Sequence, residues 1–407
     1  MVLALVAACS SSQPSASGDA GGPSPGLDAG EVSGDGAPEI PPDGSTATGD
    51  TGTVPPQSCG QVIDVDALYA ERVGWGGTTT GGDPTNVYVV TTLSGGISGT
   101  GARGSLRRAL ESAEDYWIVF EVDGTITFDP ERVNVRSNKT IDGRGRSITL
   151  NGELRMASVQ NVLVTDVTLT NEAHLNECGQ LGDVVVVTGP GGASPSDFAA
   201  RRFWFHHVRF ERGGDGLLDL RGATDVTISW SHFREHSKGL LMWKDSNGAA
   251  APGMRVTMHH NFIDQLTVRG PRFHYGKIHY FNNFVYRWYD HGTSCLDGAQ
   301  CLYQGNVFEP RAACSLVQIY SGQCADPAPC GDTDGGTPLD AVVTDDGNGP
   351  GFTRDDGNLL IGGARITLND AAAVFTSPGY PATVEAATPA LAARVRTHVG
   401  PRPLLCH

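Results

Sequence analysis

The chain has 407 residues and sets 45 aspartates and glutamates against 29 lysines and arginines, a formal charge of −16. A surface that acidic repels phosphate backbones, which excludes nucleic acid as the partner. No apolar run reaches the roughly 18 residues that a membrane-spanning helix needs.

Residues 1–9 are apolar and close on small residues before Cys9, similar to the end of a bacterial lipoprotein signal in which that cysteine carries the lipid. The basic segment that opens an export signal is absent. Either the true start lies upstream of Met1 or the likeness is chance, and the polar tether after Cys9 favours an exported, lipid-anchored chain. Residues 10–58 are almost wholly Ser, Gly, Pro, Asp, Ala and Thr without an aromatic residue. Such a stretch buries too little apolar surface to offset its ordering entropy, so a disordered linker is expected. Residues 59–407 form one block with no second break in composition, long enough for a sizeable core.

Setting Cys9 aside, the cysteines are Cys59, Cys178, Cys295, Cys301, Cys314, Cys324, Cys330 and Cys406. An even number in an exported chain reads as disulfides, of connectivity the spacing does not fix. Zinc fits less well, because no Cys-x-x-Cys pair occurs. One helix is expected, over Ser105-Leu-Arg-Arg-Ala-Leu-Glu-Ser112, with Ser105 as its N-cap.

From His206 onward, short hydrophobic runs recur with a shared ending: His206-His-Val-Arg-Phe210, Trp230-Ser-His-Phe233, His259-His-Asn-Phe262, Phe281-Asn-Asn-Phe284 and Gln304-Gly-Asn-Val-Phe308. The closing phenylalanines lie 23, 29, 22 and 24 residues apart. Repeats of that length cannot bury their faces singly and stack into a solenoid. The runs are β-branched and aromatic, bounded by Gly, Asn and Asp. Asn261, Asn283 and Asn306 recur just before the closing aromatic, which suits stacked turns. The expected fold is all-β, a right-handed parallel β-helix with a short N-terminal capping helix. A propeller needs longer periods, and a sandwich gives no reason for a recurring turn asparagine.

Taken in order, these motifs resemble the pectate lyases of polysaccharide lyase family 1. The resemblance rests on Gly104-Ser-Leu-Arg107, Ile118-Val-Phe-Glu-Val-Asp-Gly124, Ser137-Asn-Lys-Thr-Ile-Asp-Gly-Arg-Gly145, Asp215-Gly-Leu-Leu-Asp219, Val226-Thr-Ile-Ser-Trp230, His236-Ser-Lys238, Val256-Thr-Met-His-His-Asn261 and Arg269-Gly-Pro-Arg272. It implies a calcium-dependent enzyme that cleaves α-1,4-polygalacturonate by β-elimination, acting as a monomer on an acidic plant cell-wall polysaccharide outside the cell. By the same resemblance Asp183, Asp215 and Asp219 are the calcium ligands. Arg269 is the base that takes the C5 proton, and Lys238 and Arg272 hold substrate carboxylates, with Lys238 as the fallback base. A Ca²⁺ bridge would also reconcile an acidic protein with an acidic polymer. Arginine is ordinarily protonated, so its role as base requires crowding by Lys238, Arg272 and the metal to lower its pKa. Alone, an Asp-Gly pair is more often a turn, and a single Arg or Lys a surface ion pair.

Two positions depart from the family. His274 stands where a second arginine would contact substrate, which implies weaker or more pH-dependent binding, or a less charged pectin. In Trp204-Phe-His-His207, His206 replaces an aspartate and is expected to be a packed rung residue, with a metal role for the His206–His207 pair left open. Two alternatives remain: a pectin lyase acting on methyl-esterified polymer without calcium, and a surface-anchored, non-catalytic pectin-binding β-helix.

Overall fold

The structure, a computed structural model, describes residues 64–96, 102–175, 182–243, 253–311, 339–345 and 349–402. The signal-like start, the linker, and Cys9, Cys59, Cys178, Cys314, Cys324, Cys330 and Cys406 lie outside them. One ten-stranded parallel sheet runs from Asp83–Val90 to Phe352–Asp356. Its inward positions stack the same kind of residue coil after coil: Ile118, Ile141, Val164, Phe205, Ile228, Met258, Tyr280 and Tyr303 pair in succession. Each coil turns at a residue in the left-handed region, as at Asp166, His207, Trp230, His260 and Asn282, where φ is between 50° and 57°.

The other strands form a sixteen-stranded path in which the long strand Ile148–Ala157 serves two faces of the coil. One branch continues through Val185–Thr188, Gly216–Arg221, Lys238–Trp243, Arg272–His274 and Thr293–Leu296. The result is a nearly closed parallel β-helix, as the repeat length predicts. Among the described residues no helix is long and apolar enough to cross a membrane.

The asparagines form a continuous internal ladder. The side-chain amide of Asn261 donates to Asn283 Oδ1, that of Asn283 to Asn306 Oδ1 and that of Asn306 to Asn358 Oδ1, at 2.9, 3.0 and 2.8 Å. The closing phenylalanines, by contrast, do not form one column. Phe233 pairs with Ile263, whereas Phe262 pairs with His232. A one-residue slip sends a side chain to the opposite face. Phe210 and Phe233 therefore stack inside the coil, with ring centroids 4.6 Å apart, while Phe262 and Phe284 stack outside it. That outer pair is covered by Leu391 and Val395 of a helix, Pro389–His398, that the sequence reading missed.

The expected helix spans Leu106–Glu111 and contributes Leu106, Ala109 and Leu110 to the core. Ser105 occupies the N-cap position, but its hydroxyl is buried and makes no capping bond. A further helix, Val65–Ala70, is capped by Asp64, whose carboxylate accepts from Ala67 N at 2.9 Å. Cys295 and Cys301 form a buried disulfide.

Candidate active site

The strand Gly216–Arg221 alternates core leucines with polar residues. With Leu218 and Leu220 turned inward, the two-residue period puts Asp219 and Arg221 together on the outer face. Asp219 is registered against Leu241, and Leu241 against Arg272, so Asp219 and Arg272 share one column two rungs apart. Gly216 is registered against Lys238. Arg269 sits at a left-handed corner with φ 57°, and its carbonyl accepts from Leu240 N at 2.8 Å. Gly239 permits that docking, since a Cβ there would stand 2.2 Å from the Arg269 carbonyl oxygen.

Five of the seven sequence-predicted residues converge here, and Arg272 lies two rungs along the Asp219 column. Asp183 Oδ1 accepts the backbone N–H of Gly216 at 2.8 Å. Lys238 Nζ donates to Asp215 Oδ1 at 2.6 Å, and Arg269 Nη1 stands 3.9 Å from Asp219 Oδ1. Gly216 puts no side chain between them. A Cβ on it would lie 3.0 Å from Asp183 Oδ1, 3.0 Å from Asp219 Oδ1 and 3.8 Å from Arg269 Nη1. Asp219 is buried and its Oδ1 has no hydrogen-bond partner. An acceptor left in that state costs about 1–3 kcal/mol, more when charged, unless something else satisfies it. An oxygen-only donor set with one unsatisfied buried oxygen, beside a residue that carries no side chain, fits a hard cation such as Ca²⁺.

The electrostatics point the same way. Burial, reinforced by the facing Asp219 and Asp215 carboxylates, lifts Asp183 to about 7. Burial also raises Asp219, against the opposing pull of Arg221. Carboxylates crowded out of water in this way are short of positive charge.

Arg221 was not singled out from the sequence, yet it is central. Its Nε donates to Asp219 Oδ2 at 2.9 Å, and its Nη2 contacts both Asp219 Oδ2 and Asp183 Oδ2. Its place two residues after Asp219 on the same strand face was the available signal. His236 was quoted only as part of a motif. It is fully buried and donates from Nε2 to the Asp215 carbonyl at 2.7 Å, which fixes that turn. With Lys238 and Arg221 engaging them, the three aspartates are not drawn to ligand spacing as a set.

His274 is the residue the structure does not bring to the surface. Its side chain is 1 % exposed, with Nδ1 2.7 Å from Asp297 Oδ2 and its ring edge-on to Trp243. Arg272 Nε donates to its Nε2 at 3.1 Å. Expected to contact substrate itself, His274 instead braces Arg272 from behind. His206 is a packed rung residue, as expected, bonded to Ser229 and Glu71.

A family model for pectate lyases matches residues 69–326. Among curated relatives, "Probable pectate lyase 18" of Arabidopsis thaliana is 30 % identical over 249 residues, covering 58 % of this chain and 59 % of that protein. The chain spans between 51 % and 61 % of the length of this and similar relatives. Two solved structures share the fold at 20 % identity, each over 81 % of this chain. The cedar pollen major allergen matches over 93 % of its length at a TM-score of 0.62. A pectate lyase from a Bacillus species, solved with trigalacturonate, matches over 98 % at 0.55. With a family match across most of the β-helix, the chain belongs to the pectate lyase family.

Proposed function

We propose that the protein is a calcium-dependent pectate lyase cleaving α-1,4-polygalacturonate by β-elimination. In that reaction the C5 proton leaves to a base, its electron pair forms the C4–C5 double bond, and the C4–O bond breaks. The leaving oxygen takes a proton from solvent. Asp183, Asp215 and Asp219 would hold the cation. When bound, Ca²⁺ supplies a hard Lewis acid beside the substrate carboxylate, where negative charge develops.

The chain's own residues do the rest. Arg269 stands beside Gly216 and Asp219 and is assigned as the base. Lys238 and Arg272 lie along the same face and are assigned to uronate carboxylates, Arg272 suiting a two-point contact. His274 and Asp297 hold the Arg272 guanidinium in register, a support that rigid substrate recognition requires. The observation that carries the reading is the grouping of two carboxylate oxygens, one of them buried and unsatisfied, and one guanidinium around Gly216. The buried Cys295–Cys301 disulfide agrees with an exported protein working in an oxidising compartment.

One observation favours the second reading, a pectin lyase working without calcium: Arg221 already supplies positive charge between Asp183 and Asp219. The two are separated by comparing rates on de-esterified and methyl-esterified polymer. The calcium reading expects the de-esterified polymer to be cleaved faster. A preference for the esterified one would overturn it.

A further inference from the structure

We propose that Glu71, His206 and His207 form a second metal site, sharing no residue with the aspartate cluster, that takes a borderline divalent transition cation such as Zn²⁺. His206 ends the strand Ala200–His206, His207 is the left-handed corner that follows it, and Glu71 closes the helix Val65–Ala70. One ligand atom from each comes within 4.8 Å of the others.

Each of the three already has its remaining polar atom held, the arrangement that orients metal ligands. His207 Nδ1 donates to the Gly400 carbonyl at 3.0 Å, which leaves its Nε2 as the lone-pair nitrogen. His206 Nδ1 lies 2.9 Å from Ser229 Oγ, which also accepts the indole N–H of Trp204. Glu71 Oε1 accepts from Arg402 Nη1 at 3.2 Å. The ends that would ligate, His206 Nε2 and Glu71 Oε2, are hydrogen-bonded to each other at 2.7 Å, a bond the ion would replace. Zinc bonds of about 2.0–2.1 Å in tetrahedral geometry need that pair to open to roughly 3.3 Å. Ligation also requires His206 in the Nδ1–H tautomer, so that the Ser229 contact becomes a donation.

The charges are compatible. Both histidines are buried and can offer a neutral ring nitrogen, and Glu71 supplies the carboxylate. Arg402 faces the group, and it is matched by Asp166, to which its Nε donates at 2.8 Å. Glu71 is 39 % exposed, so an ion has a path from solvent. Two imidazoles and one carboxylate suit Zn²⁺ and disfavour Ca²⁺, whose ligands are oxygens. The aspartate cradle has the opposite donor chemistry.

The test uses the full chain, stripped of metal and with free thiols alkylated, titrated with Zn²⁺ against a chromophoric chelator. One ion should bind at micromolar affinity or better, and excess Ca²⁺ should not displace it. Glu71→Gln and His207→Gln should each weaken binding at least tenfold without altering the circular dichroism spectrum. Retention within threefold in both variants would overturn the site, as would displacement by Ca²⁺. Should either variant fold poorly, Co²⁺ on the unmodified chain decides: a visible ligand-field spectrum that Zn²⁺ abolishes supports the site, and its absence refutes it. None of these readouts depends on lyase activity.

Discussion

Gly216→Ala probes the cation cradle without touching a charged group. The added methyl would stand 3.0 Å from one oxygen of Asp183 and 3.0 Å from one of Asp219, where a carboxylate–cation contact is about 2.3–2.6 Å. No backbone atom blocks the methyl, and φ at Gly216 is not in the left-handed region, so the strand itself tolerates alanine. Arg221 holds both carboxylates, but Asp183 is the less buried of the two, so it is Asp183 that must swing by a few tenths of an ångström or more. Overpacking costs about 1–3 kcal/mol, offset by the roughly 0.4–1 kcal/mol that alanine gains over glycine through the unfolded chain. Folding should therefore survive, with Tm lowered by only a few degrees. Calcium affinity follows the number of charged ligands over several decades. Displacing the Asp183 carboxylate and crowding that of Asp219 should weaken it on the order of 100-fold, about 2.8 kcal/mol. Isothermal titration of Ca²⁺, beside a melting curve, is the assay. A folded Gly216→Ala protein that binds Ca²⁺ within threefold of the unmodified chain would refute the cradle.

Arg269→Lys should lower kcat by about 100-fold or more while leaving KM and calcium affinity within a few-fold, the signature of a lost proton-transfer group; a near-normal rate would remove Arg269 as base. Because burial and its carboxylate neighbours hold Asp183 near 7, a cation must displace a proton there below that pH. Calcium affinity should thus climb by up to about tenfold per unit as pH rises toward 7 and level off above it, and titrations across that range giving a flat profile would contradict the assignment. Asn283→Ala removes donations to Met258 O and Asn306 Oδ1 and strands the groups of Asn261 that pair with Asn283. Thermal melting should show a loss of about 3 kcal/mol with activity at low temperature retained, and a loss below about 1 kcal/mol would show the ladder to be dispensable.

The solenoid was legible because its signal repeats: each coil contributes a β-run and an aromatic, and the later ones a turn asparagine. The aromatic misled in one respect. Phe262 and Phe284 end their coils like Phe233, but a one-residue slip in pairing puts them outside, a difference that period alone does not carry. The helix Pro389–His398 had its markers in Thr388 as N-cap and Pro389 at the first turn. It is only ten residues long, and much of its stability comes from covering those outer phenylalanines.

At the site, Asp215, Asp219, Lys238, Arg269 and Arg272 were readable from motif order, because residues a coil apart stack on one face. Arg221 was readable in principle from its two-residue spacing to Asp219. The burial of His274 was not, since its partner Asp297 lies 23 residues on and only coil registration brings the two together.

The most direct measurement is the ultraviolet absorbance of unsaturated product from polygalacturonate at alkaline pH, recorded with calcium, after chelation, and after calcium is restored. The account predicts turnover with calcium, its loss on chelation and its return on restoration. Full activity after chelation, or no unsaturated product under any condition, would contradict it.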